Sequence, residues 1–166
     1  MSRTLLAVGC LFIASTIGGV ASATPVQADR IVILKSARQL TLLRNGKPLR
    51  AYHVSLGPSP TGAKERQGDG KTPEGLYRID SRNAFSKYHM ALHVSYPNAA
   101  DRMRARRLHV SPGGEIMIHG RPNRWRALGY ALDHVDWTAG CIAVSDSDIE
   151  EIWRLVPNGT VVEIRP

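Results

Sequence analysis

Apolar and polar positions alternate in short runs along most of this chain and take helical spacing only near its end. Arg30 to Lys35 is a short apolar run. Gln39 to Arg44 and Lys47 to Ser55 flank Asn45-Gly46, a dipeptide that tolerates two consecutive positive φ angles, so the spacing predicts a hairpin closed by a type I′ turn. Gly57 to Pro73 carries Gly, Pro, Lys, Asp and Thr with hardly an apolar side chain, which predicts a long surface loop; loops of this length in compact domains are commonly functional, and this one is expected to border a substrate cleft. Gly75 to Asp80 and Met90 to Ser95 alternate as strands do, Asn98 to Leu108 reads as a short helix begun by an Asn cap, and Glu115 to His119 returns to strand. Ser145 is placed to cap a helix whose apolar residues Ile149, Ile152, Trp153 and Val156 fall at i, i+3, i+4 and i+7. Asp146, Asp148, Glu150 and Glu151 load its early turns, where carboxylates complement the helix dipole. Pro157-Asn158-Gly159 stops that helix and Thr160 to Ile164 is a last strand. The pattern is mainly β with short helices, and it shows no internal repeat, low-complexity tract or interdomain linker.

The first two dozen residues read differently. Arg3 precedes an apolar stretch from Leu5 to Val20, and Ala21-Ser22-Ala23 has the form of a cleavage site, so residues 1–23 are expected to be a signal peptide. A rival lipoprotein reading uses Ala7-Val8-Gly9-Cys10, but it leaves an unusually short apolar region. Leu5 to Val20 spans 16 residues, short of the ~20 needed to cross a bilayer, and no stable membrane insertion is expected. Removing 23 residues from 166 leaves 143, enough for one domain: a short lead at 24–30 and a single unit at 31–166. Cys10 departs with the leader, so the exported chain keeps Cys141 alone and has no intramolecular disulfide.

Loss of Arg3 lowers the net charge from +8 to +7, which favours anionic polymers or surfaces as partners. An exported protein is not expected to meet nucleic acid, and Arg102, Arg104, Arg106 and Arg107, without aromatic interleaving, read as a solvated helix face. His89 and His93 have the i, i+4 spacing of a zinc pair but lie in a segment that reads as strand, so no metal and no cofactor is expected. Gly70-Lys71-Thr72 echoes a phosphate loop only by chance, because Glu65 stands where its first glycine belongs.

An unpaired thiol in an oxidising compartment is a liability unless its reactivity is used. A free thiol titrates near ~8.5, so attack on an acyl carbon needs a base or a nearby positive charge. His119 ends the apolar run Ile116-Met117-Ile118, and Gly120 after it lets the chain turn, which presents the imidazole at a sheet edge. Gly140 before Cys141 is expected to admit a substrate, with amide N–H groups near both residues aimed at a developing oxyanion. Trp137 is expected to form cleft wall or core, and Asp136 to bond backbone in preference to orienting His119. The inert alternative, Cys141 as a small buried hydrophobe in a wall-binding module, stays open at this point.

Ile118-His119-Gly120, then Thr138-Ala139-Gly140-Cys141-Ile142 and an Asp-rich helix, resembles the signature of the L,D-transpeptidase catalytic domain, the YkuD-like family. Lys71-Thr72-Pro73-Glu74-Gly75-Leu76-Tyr77 and Val54-Ser55-Leu56-Gly57 are similar to upstream segments of that family, so the resemblance runs from about Ile31 to the C-terminus. It implies a β-sandwich-like fold and a peptidoglycan-modifying enzyme. The cysteine of such an enzyme attacks the L,D-peptide bond of a stem tetrapeptide, releases D-alanine and passes the acyl group to an amine. By position, Cys141 is the nucleophile, His119 the base, and Thr138 the hydroxyl residue three before the cysteine. Many members have His at Ala139 and Arg at Ala143, and these methyl side chains leave open hydrolysis by a carboxypeptidase or amidase. Arg121, Arg124 and Arg126 are candidates to replace the lost arginine in binding substrate, or are plain loop solvation. The implied partners are peptidoglycan stem peptides, acted on in the periplasm by a monomer or by a released form of it.

Overall fold

Asn45 and Gly46 both have positive φ, 51° and 74°, as a type I′ turn requires. The hairpin they close joins β2 (Gln39–Arg44) to β3 (Lys47–His53) at one edge of an eight-stranded sheet. This structure is a computed structural model that describes residues 26–124 and 129–166. The expected leader at 1–23 with Cys10, the first residues of the lead, and Arg126 lie outside the described residues.

β1 (Arg30–Leu34) runs antiparallel to β2 and parallel to β8 (Val161–Arg165), so the last strand of the chain closes beside the first. β4 (Gly75–Ser86) joins the two halves of the sheet. Its residues Gly75 to Arg78 pair with β8, and from Ile79 onward it pairs with β5 (His89–Val94). β6 (Met117–His119) and β7 (Ile142–Ala143) complete the order β3-β2-β1-β8-β4-β5-β6-β7. Alternation puts Ile31, Ile33, Leu40, Leu42, Val162 and Ile164 inside from the first half, and Leu92, Val94, Ile118 and Ile142 join the same core from the second. Ile149, Ile152 and Val156, on and just after α3 (Asp146–Leu155), close it. Each such side chain is worth ~1.5–3 kcal/mol of burial, and this shared core fixes the relation of β6 to β7.

Both predicted caps are present. Ser145 Oγ accepts the Asp148 N–H at 3.1 Å; at α1 (Ala99–Arg107), Asn98 and Asp101 exchange side-chain and backbone hydrogen bonds at 3.0 Å each. Arg102, Arg106 and Arg107 are exposed on α1, as a solvated face requires, whereas Arg104 is half-buried and donates to the Lys64 carbonyl at 3.4 Å. β4 runs past Asp80 to Ser86 because it continues, with two register shifts, as the partner of β5; its outer residues, Phe85 among them, are exposed and do not alternate. α2 (Gly129–Leu132) was not marked by the pattern.

The segment from Gly57 to Pro73 forms neither helix nor strand, as predicted, yet it is not simply a solvated loop. Lys64 and Thr72 within it are buried, and so is Lys35 at the end of β1. Lys35 Nζ holds the loop from below, donating to the Gly62 carbonyl at 2.6 Å, the Thr72 carbonyl at 3.3 Å and Glu74 Oε1 at 2.6 Å. A buried ammonium with all its protons engaged is tolerated where an unpaired one is not.

Candidate active site

Parallel pairing of β6 with β7 sets Ile118 opposite Ile142, and both side chains enter the core. Side chains alternate across a strand, so Met117, His119 and Cys141 turn to the opposite face. That face opens into a cleft of about 780 Å³ lined by His119, Cys141, Thr138, Trp137, Tyr88 and Arg124, with Lys87, Glu115, Met117 and Ala139 on its walls. The sulfur and the imidazole, 22 residues apart in sequence, therefore face one cavity because two core isoleucines are paired.

His119 is buried and its ring is held on two sides. Tyr88 lies 4.5 Å away centroid to centroid, and Trp137 meets the ring edge-on at 5.7 Å. His119 Nδ1 is 2.7 Å from the Gly120 carbonyl, an acceptor only, so Nδ1 carries the proton and Nε2 is left with its lone pair. Burial pushes the imidazole below its ordinary value, against a smaller opposite pull from that carbonyl, so the ring is neutral at pH 7 and fit to accept a proton. Gly120 is needed for packing: a Cβ there would lie 2.7 Å from Asp146 Oδ1 and 3.0 Å from Ile149, at the start of α3.

Cys141 is half-buried, and its Sγ donates to the Glu115 carbonyl at 3.3 Å. Glu115 has φ 55°, a left-handed backbone that a non-glycine residue adopts at some cost. Burial pushes the thiol above its ordinary value; the Met117 amide and the Lys64 charge pull it down, and the Glu115 charge pushes it up. At rest the cleft thus holds a neutral thiol and a neutral imidazole, the protonation states that general-base activation starts from.

Thr138 shapes the turn that carries the sulfur. Its hydroxyl donates to the Cys141 carbonyl at 2.8 Å and accepts the Gly140 N–H at 3.1 Å. The Gly140 amide is thereby committed to Thr138, which corrects the expectation that it is free to face an oxyanion. Gly140 also does not serve to admit substrate: with φ 123°, it lies so close to the loop that a Cβ would sit 2.5 Å from the Lys71 carbonyl. The glycine lets the Gly57–Pro73 loop press against the turn that carries Cys141; none of that loop's residues lines the cleft itself, so its contact with the site runs through this turn and not through a cleft wall as expected.

The remaining sequence candidates divide. Trp137 and Arg124 line the cleft, Arg124 at its exposed rim. Arg121 does not face it: its guanidinium pairs with Asp133, Nε to Oδ1 at 2.9 Å, and it lines a second cavity of about 220 Å³ together with Ala143. Charge does stand beside Ala143, then, but it is already neutralised by Asp133. Asp136 bonds the Leu56 N–H at 2.8 Å and pairs with Arg38 at 2.6 Å, so it braces backbone and does not touch His119. His89 pairs with Glu150 and His93 with Asp80; among the described residues no group of three or more His, Cys, Asp or Glu is arranged to hold a metal ion. No described helix is long and apolar enough to cross a membrane. Sequence reasoning missed Tyr88, which lies in the turn between β4 and β5, and missed Lys64, which read as loop. Nothing local marks either, because their roles arise from what they pack against.

The chain is similar to known proteins. A profile of the L,D-transpeptidase catalytic domain (YkuD) matches residues 28–164. YafK, a provisionally named L,D-transpeptidase of Escherichia coli (strain K12), is 31% identical over 174 aligned positions that cover 95% of this chain and 63% of YafK, so the chain spans less than two thirds of that relative. The helical cell shape determining protein Pgp2 of Campylobacter jejuni superposes with a TM-score of 0.64 at 24% identity, covering 85% of this chain and 48% of that one. An L,D-transpeptidase of Xylanimonas cellulosilytica superposes with a TM-score of 0.56 at 16% identity, covering 84% and 61%. These superpositions show the fold, a mostly β domain with few short helices. With the profile spanning nearly all of the described chain, the protein belongs to the L,D-transpeptidase catalytic domain family.

Proposed function

We propose that this protein is an exported cysteine acyltransferase of the cell wall, in which Cys141 attacks the L,D-peptide bond before the terminal D-alanine of a peptidoglycan stem tetrapeptide. The observation that carries this reading is the shared cleft, lined by Cys141 and by His119, whose Nε2 is unprotonated because Nδ1–H is held by Gly120. As Sγ bonds to the carbonyl carbon, its proton leaves the Glu115 carbonyl for Nε2, and the C=O electron pair becomes an oxyanion. The Cys141 amide, at the end of the turn braced by Thr138, is the donor we assign to that oxyanion, since the Gly140 amide is already engaged. Collapse breaks the C–N bond, the departing D-alanine amine takes the proton from His119, and a thioester remains. An incoming amine then gives its proton to Nε2 and attacks the thioester, restoring the thiol and forming a new amide.

Tyr88 and Trp137 keep the imidazole oriented through this cycle, and Lys87 and Arg124 offer positive charge to a substrate carboxylate at the rim. Export to the periplasm and action as a monomer belong to the same proposal. A second reading, hydrolysis of the same thioester by water, is favoured by one observation: Ala139 is exposed on the cleft wall with only a methyl group, where many members place a histidine. Incubation with tetrapeptide-bearing muropeptides followed by mass spectrometry separates the outcomes. Dimers support transpeptidation, tripeptide with no dimer means carboxypeptidase action, and release of an attached peptide or protein means amidase action. No product of any kind, together with no covalent adduct from a carbapenem, would refute the enzyme reading.

A further inference from the structure

The chemistry just derived leaves one buried ion pair without a task. Lys64 and Asp69 lie inside the Gly57–Pro73 loop with side chains only 4% and 8% exposed, and Lys64 Nζ donates to Asp69 Oδ1 at 2.8 Å and to the Arg66 carbonyl at 3.1 Å. Asp69 is a hub. Its carboxylate also accepts the backbone N–H groups of Glu65 at 2.8 Å, Arg66 at 3.0 Å and Lys71 at 3.1 Å. Desolvation makes a buried pair a poor source of stability compared with apolar packing, whereas a fully bonded one rigidifies its surroundings.

The loop held in this way touches the sulfur's environment on two sides. The Lys71 carbonyl presses against Gly140, the residue before the nucleophile. Gln67 donates its N–H to the Ser111 carbonyl at 2.8 Å, and a Cβ on Gly113 would lie 3.3 Å from Gln67. That contact braces the stretch ending at Glu115, whose carbonyl takes the thiol hydrogen.

We propose that Lys64 and Asp69 are positioning residues for Cys141, acting through the Lys71–Gly140 contact on one side of the sulfur and through the Ser111–Glu115 stretch on the other. This rests on the reading of Cys141 as nucleophile and deepens it. The pair also brings a charge: the Lys64 ammonium favours the thiolate and Glu115 opposes it. Among the described residues, the other titratable or charged groups on the cleft are His119 from β6, Lys87 and Tyr88 from the β4–β5 turn, and Arg124.

The test is the rate of iodoacetamide alkylation of Cys141 against pH in the full chain, for wild type, Lys64→Gln, Lys64→Arg and Asp69→Asn. Lys64→Gln keeps a hydrogen-bonding head without charge, so its midpoint rises and alkylation at pH 7 slows by at least ~3-fold; Lys64→Arg returns to the wild-type midpoint. In Asp69→Asn the ammonium loses its counter-charge, and the midpoint falls. A purely structural role moves no midpoint, or moves both variants the same way, and either result overturns the proposal. If Lys64→Gln does not fold, Asp69→Asn decides alone: an unmoved or raised midpoint overturns it. A wild-type thiol that resists alkylation at every pH instead overturns the nucleophile reading beneath it.

Discussion

Gly140→Ala is the sharpest perturbation of the nucleophile turn, because it adds one carbon and no charge. The new Cβ would start 2.5 Å from the Lys71 carbonyl oxygen, and the backbone has φ 123°, where L side chains are strained. Relief to an ordinary contact of ~3.0–3.4 Å requires a relative movement of about 0.5–0.9 Å. The neighbour is backbone, and it belongs to a loop pinned by Lys35 and Lys64, so the movement falls largely on the turn that carries Cys141. The φ strain alone costs about 1–3 kcal/mol. A misplacement of ~1 Å in a reacting group costs on the order of 10²-fold in rate, so carbapenem acylation and D-alanine release are expected to slow by at least ~10-fold. Urea unfolding measures the first effect, and stopped-flow acylation the second. A Gly140→Ala protein that acylates at the wild-type rate with stability within ~0.5 kcal/mol would refute the claim that loop contact positions the nucleophile.

Asp69 makes stability acid-sensitive: burial pushes its carboxyl up, but the Lys64 ammonium and three backbone amides more than reverse this, holding it at about 2. A depressed carboxyl contributes stability that is complete above its unfolded value near ~3.8 and is lost as pH falls through about 2, so urea unfolding should find Asp69→Asn about 2 kcal/mol weaker at pH 7 and the gap closing by pH 2. Burial lowers the His119 imidazole, so the acid limb of kcat/KM is expected to have its midpoint below ~6.5; a midpoint at or above that value contradicts the buried-base assignment. Arg121→Gln breaks the Asp133 pair outside the cleft and should cost ~1 kcal/mol in unfolding experiments while leaving the iodoacetamide rate unchanged, and a several-fold slower rate would place Arg121 in the cleft after all.

Features that a few neighbouring residues decide were legible before the fold. The Asn45-Gly46 turn, the Asn98 and Ser145 caps and the periodic face of α3 are local matters of φ preference, side-chain reach and helical spacing. So was the family, since the residue types and their order around His119 and Cys141 resemble its signature and its profile matches residues 28–164. Arg121 illustrates where that reading failed: an arginine after the histidine was a candidate for the cleft, but Asp133, 12 residues away, claims it. Gly140 failed in the same way, because its open face is filled by Lys71 from a loop about 70 residues earlier.

The sequence by itself determined a mainly β domain and singled out a cysteine and a histidine as candidates for one site, because periodicity, turn chemistry and residue type are properties of short windows. Only the tertiary structure decided that Ile118 and Ile142 pair, so that the histidine and cysteine share one face; that Tyr88 and Trp137 grip the imidazole; and that Lys64 is buried within the loop whose Lys71 carbonyl meets Gly140. Strand pairing, burial and electrostatic environment depend on which distant segments the common core brings together, and no window of the chain contains that information.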